Sequence, residues 1–148
     1  MVATSVPRRS VLLMIILTIL TYAIYMPIWC LRRIGWLNSL SGSKKLGSRL
    51  PIFALVIFCV SAFILLLEIG IEDVAIINVL DAIDEFINLA GGATILVIAF
   101  KIRGILDEHF NKNLNMGISF SGVATFFFTF YYLQYKINRL PESTASVA

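Results

Sequence analysis

SVLLMIILTILTYAIYMPIWCL, from Ser10 to Leu31, is a run of twenty-two residues with no charged side chain. A bilayer core takes roughly 20 apolar residues to cross as a helix. Asn113 to Tyr135 is a second uncharged run, of twenty-three residues, and Leu50 to Leu67 is a third, of eighteen. The whole chain of 148 residues is 59% hydrophobic and only 14% charged, with a mean hydropathy of +0.89. A soluble domain carries about 25% charged residues, so the composition points to an integral membrane protein. No polar stretch is long enough to fold alone, and no internal repeat appears.

The expected fold is all-α: a bundle of four transmembrane helices in one domain, residues 1–140. The helices fall at about 10–31, 51–67, 86–103 and 117–136, and residues 141–148 form a polar, disordered tail. Pro27 removes a backbone donor and is expected to kink the first helix. Trp29 and the Arg32–Arg33 pair mark an interface, aromatic at headgroup depth and cationic in water. Pro51 suits the first turn of the second helix, where its missing N–H costs nothing.

Residues 71–88 form an acidic amphipathic segment ahead of the third helix. At 100° per residue Asp73, Asp81, Asp84, Glu85 and Asn88 share one side, and Val74, Ile76, Val79, Leu80, Ile83 and Phe86 occupy the rest. Two placements are open for it, flat in the interface or as an extension of the third helix.

Charge is segregated beneath the net +3. Six of nine acids lie between Glu68 and Glu85 with no base among them, and five of twelve bases lie between Arg32 and Arg49 with no acid. Basic residues in short loops stay cytoplasmic. The loops 32–49 and 101–112 are therefore expected inside a plasma membrane, with both termini and the acidic segment outside. A rival arrangement has the first segment enter and return at Pro27 without crossing, which puts the N-terminus inside.

Sites are few. Asp81, Asp84 and Glu85 are helical neighbours and the only candidates for an ion site; a solvated polar face explains them equally. Gly117, Ser121, Thr125 and Thr129 recur every four residues, a small stripe suited to close helix packing in lipid, with Gly91 and Gly92 as its docking surface. His109 sits in a polar turn and reads as solvated. Cys30 and Cys59 read as structural thiols. No catalytic, cofactor-binding or metal-binding constellation is present, and a nucleic-acid surface is excluded by the lack of a solvated basic face.

Two further segments form a pattern. Thr21-Tyr22-Ala23-Ile24-Tyr25 with Trp29 and Arg32–Arg33, and Tyr132-Leu133-Gln134-Tyr135-Lys136-Ile137-Asn138, together resemble small prokaryotic membrane proteins grouped as domain of unknown function 4234. The resemblance runs from about Val11 to Asn138. Ala23 stands where that pattern carries glycine, and Pro27 falls within the motif. The resemblance implies a multipass membrane location and brings no activity with it. The expected function is thus non-enzymatic, a membrane scaffold or accessory subunit acting through helix contacts. Its partners are the lipid bilayer and a second copy or another membrane protein. The alternative is a small transporter or channel component working as an oligomer.

Overall fold

A computed structural model describes residues 6–140, and the tail expected at 141–148 lies outside them. The described residues are all-helical: α1 (Val11–Leu20), α2 (Tyr25–Ser39), α3 (Arg49–Glu68), α4 (Val74–Asp107) and α5 (Gly122–Asn138). A single turn of π-helix, Glu108–Asn113, continues α4.

The uncharged run from Ser10 to Leu31 is not one helix. Ser10 caps α1 through the Leu13 N–H. The helix then stops at Leu20, and Tyr22 and Ala23 take positive φ, 49° and 65°. The Ala23 N–H donates to Thr18 O and the Tyr22 N–H to Ile19 O, the bond pair that closes a helix through a left-handed residue. The chain then turns back on itself. In one straight helix Pro7 and Arg33 would stand about 39 Å apart, yet the Arg33 guanidinium donates to Pro7 O at 3.3 Å. The first segment is a helical hairpin. This corrects the helix expected over 10–31 and moves the return from Pro27 to Tyr22–Ala23. Pro27 lies in the first turn of α2, where a proline is tolerated.

The left-handed backbone at Ala23 has a direct consequence. An L-residue there carries roughly 1–2 kcal/mol of strain that glycine escapes. Ala23→Gly is expected to raise the thermal unfolding midpoint of the full-length protein, by about 1 kcal/mol in stability. The same change at Ala75, in the first turn of α4, should lower it. A loss at both positions would remove the turn.

The second uncharged run also folds back. Its helix starts at Gly122, not 117, with the Ser121 hydroxyl accepting the Ala124 N–H as the cap. Thr129 breaks it, with φ 40° and ψ −119°. Ser121 and Tyr132 would be about 16 Å apart along a straight helix, but the Ser121 N–H donates to the Tyr132 hydroxyl at 2.8 Å. That contact requires a sharp bend, and Phe126, Phe127 and Phe128 stand exposed beside it.

Among the described residues only α3 and α4 with its π turn are long and apolar enough to cross a membrane. Pro51 lies in the first turn of α3, as expected. α4 is 34 residues long, about 51 Å, so the acidic segment 71–88 extends the third helix and does not lie apart from it. The Asp73 carboxylate caps it through the Ala75 N–H. α3 and α4 pack along Ala54, Phe58 and Ser61 on one side and Gly91 and Ile95 on the other. A Cβ on Gly91 would meet Ile57 at 3.0 Å and Phe58 at 3.1 Å, so glycine sets this close approach. Farther along the pair, the Asn88 amide donates to the Ser61 hydroxyl at 3.0 Å and to Asp84 at 2.8 Å.

Candidate functional site: a buried tryptophan–glutamine junction

A buried long-range polar cluster joins residues 7–9, α2 and the second half of α5. It begins with Trp29, fully buried in the first turns of α2. An indole N–H can only donate, and it donates to Gln134 Oε1 at 3.0 Å. That fixes the amide's orientation, since its NH2 must then face acceptors. Nε2 donates to Pro7 O at 3.2 Å and to Asn138 Oδ1 at 2.7 Å. Asn138 in turn brackets the Arg9 backbone: its Oδ1 accepts the Arg9 N–H at 3.0 Å and its Nδ2 donates to Arg9 O at 2.6 Å. Gln134 is fully buried and its amide is satisfied, as a polar group out of water must be.

The apolar half of the junction is aromatic. Trp29 stacks on Phe130 with ring centroids 5.0 Å apart and 22° between planes. On Trp29 rests the Arg33 guanidinium, 4.5 Å from the ring centroid. Arg33 is 5% exposed and its Nε has no partner. With no carboxylate beside it among the described residues, this buried arginine is held by the indole face and the Pro7 carbonyl.

These residues are the ones the two sequence motifs singled out. Thr21 and Tyr25 work at the hairpin turn: the Thr21 hydroxyl donates to Leu17 O at 2.7 Å and accepts the Tyr25 N–H at 3.0 Å, stitching α1 to α2. Trp29, Gln134 and Asn138 form the junction. Tyr132 bridges the bend in α5. Tyr135 is 42% exposed and carries the Arg139 guanidinium 4.4 Å from its ring, apart from the junction. Within the first motif, Tyr22 and Ala23 are the two positions with left-handed backbone.

The small stripe on the last helix does not survive as a stripe. Gly117 precedes the helix with φ 64°. Ser121 is the cap. Thr125 is buried and donates back to Ser121 O at 2.8 Å, and Thr129 is the bend. The fourfold spacing presupposed a helix over all four, and the backbone breaks at both ends of it. Gly91 faces α3 and not α5, while a Cβ on Gly92 would meet nothing within 4 Å. Asp81, Asp84 and Glu85 do not form a metal site: among the described residues no group of three or more His, Cys, Asp or Glu could hold an ion. Asp84 instead accepts from Asn88 and, at 3.5 Å, from the Tyr22 hydroxyl at the tip of the first hairpin.

His109 is a further correction. It is 1% exposed, not solvated, and its Nδ1 accepts the Ser41 N–H at 3.1 Å. Beside it Glu108 accepts from the Ser43 N–H and hydroxyl and from the Lys44 N–H. Together they anchor the basic loop on the π turn. A histidine six residues past Arg103 gives no hint in sequence that a loop sixty-eight residues away will cover it. Cys30 is buried and Cys59 exposed, both as free thiols.

No known protein family, curated protein or solved structure matches this chain.

Proposed function

We propose that the chain is a multipass protein of the plasma membrane that crosses twice, through α3 and α4, and serves as a non-enzymatic scaffold or accessory subunit acting through helix contacts. The observation that carries this reading is the return of both flanking apolar segments to the side they started from. With those segments folded back, the twelve bases all lie outside residues 50–100, at the end of the hairpin where α3 begins and α4 finishes. Six acids lie at the other end, between Glu68 and Glu85. Cytoplasmic retention of Lys and Arg then places the basic end inside and the acidic tip outside. α4 exceeds the roughly 30 Å hydrocarbon core, so its acidic first turns stand clear of the lipid. Both fold-back hairpins start and end on the basic side, the tip of the first reaching Asp84 on α4, and their exposed Leu12, Ile19, Leu20 and Phe126–Phe128 contact acyl chains.

The interior supports contact over conduction. Trp29, Phe130, Leu133 and Ile102 are fully buried, and Ser61, Thr125 and Gln134 each bond within the chain. On α3, by contrast, Phe53, Val56, Val60 and Phe63 form one exposed apolar row at helical spacing, and that face is available to another helix.

A photo-crosslinking residue at Phe63 in the cell membrane tests the reading. The expected result is a discrete crosslinked species, together with no ion leak above empty vesicles when the purified protein is reconstituted. A leak without any adduct would replace this reading with the channel alternative.

A further inference from the structure

Where α4 leaves its apolar stretch, a groove of about 590 Å³ opens between it and the basic loop. Val97 and Phe100 form an apolar wall, and Lys44, Lys45 and Lys101 stand around it with no carboxylate in the lining. Lys45 donates to Asn38 O and Leu40 O at the end of α2, which fixes its position. Gly104 leaves the floor bare: a Cβ there would meet Lys44 Nζ at 3.5 Å and its Cδ at 3.6 Å. A smaller groove of about 390 Å³ shares Lys101 and adds Arg49. Ser48, Arg49 and Leu50 at the start of α3 line it, and that helix start has no side-chain cap, an arrangement that favours an anion. Glu108, the acid next to Lys44, is already engaged by the N–H groups of Ser43 and Lys44.

We infer that this groove binds an anionic phospholipid, its phosphate among Lys44, Lys101 and Arg49 and an acyl chain along Val97 and Phe100. Charge complementarity selects the head: four cations line the two adjoining grooves and no acid lines either. The apolar wall selects a lipid over a free anion, since a small phosphate ester would leave Val97 and Phe100, 49% and 38% exposed, still uncovered. Basic pockets between helices on the cytoplasmic side recognise anionic headgroups in this way. The inference rests on the membrane location proposed above, but not on the number of crossings.

The test uses full-length protein purified in nonionic detergent, titrated with dioleoylphosphatidylglycerol, dioleoylphosphatidylcholine or glycerol phosphate, with adducts counted by native mass spectrometry. Phosphatidylglycerol is expected to bind more tightly than phosphatidylcholine, and glycerol phosphate not to bind. Lys44→Gln with Lys101→Gln should weaken phosphatidylglycerol by about thirtyfold, at roughly fivefold per lysine. Gly104→Leu should weaken it comparably by filling the floor with no change of charge. Lys112→Gln, exposed on the same side but outside the lining, should leave binding unchanged. Equal binding of the two lipids, retained binding in either groove variant, tight binding of glycerol phosphate, or an equal loss in the Lys112 variant would each overturn the site. A protein that stays dispersed without detergent and takes up neither lipid would instead overturn the membrane reading beneath it.

Discussion

Trp29→Ala is expected to cost about 3–5 kcal/mol, as large-to-small changes at fully buried aromatics do, and to leave little folded protein at growth temperature. The indole contributes in three ways. It stacks on Phe130, it carries the buried Arg33 guanidinium, and it donates to Gln134. Trp29→Phe separates them. It keeps a ring for Phe130 and Arg33 and removes the N–H, leaving Gln134 Oε1 unpaired at about 1–3 kcal/mol. Gln134→Leu should cost a similar amount, because it strands the indole N–H in the same dry site. Combining Trp29→Phe with Gln134→Leu removes donor and acceptor together, so the double variant should lose less than the sum of the two singles. Thermal unfolding of the four proteins in one detergent measures the cycle. Strictly additive losses would mean that the two side chains do not meet, and the junction would have to be redrawn.

The second large effect is all-or-none. A reporter enzyme that folds only outside the cytoplasm should be active when fused after Gly70, between α3 and α4, and silent when fused after Gly42 or Val147. The Gly70 and Gly42 outcomes follow from the charge segregation alone. The Val147 outcome separates two crossings from four, because a last helix that crossed would carry the C-terminus out and switch that fusion on. The bend at Thr129 and the Tyr132–Ser121 contact are the reason to expect silence. Activity after Val147 would reinstate the crossing of the last segment. Activity after Gly42 with silence after Gly70 would invert the whole hairpin and show that the bases do not set its orientation.

Much of this architecture is written locally. The uncharged run of α3, the proline at its first turn, the Asp73 cap of α4 and the separation of acids from bases are all properties of neighbouring residues, and they appear in the structure where the chain places them. The residues of the junction were also legible, since Trp29, Gln134 and Asn138 stand out by type within their motifs. What they do was not. Trp29 read as an interfacial anchor, and only the fold supplies the glutamine 105 residues away that accepts its hydrogen bond.

A helical, strongly apolar chain with one basic and one acidic end is legible in the residues alone, because hydrophobic content and charge order are sums over near neighbours. Tertiary structure alone decided which apolar runs stay straight. Both returns occur at residues that carry no turn signal, Tyr22–Ala23 and Thr129, whose left-handed backbone is unfavourable in isolation. Contacts remote in sequence offset that strain: Arg33 on Pro7, Gln134 on Trp29 and Tyr132 on Ser121. A window of hydropathy measures how much apolar surface a segment has, and that quantity is the same for a helix that crosses and for one that folds back upon itself.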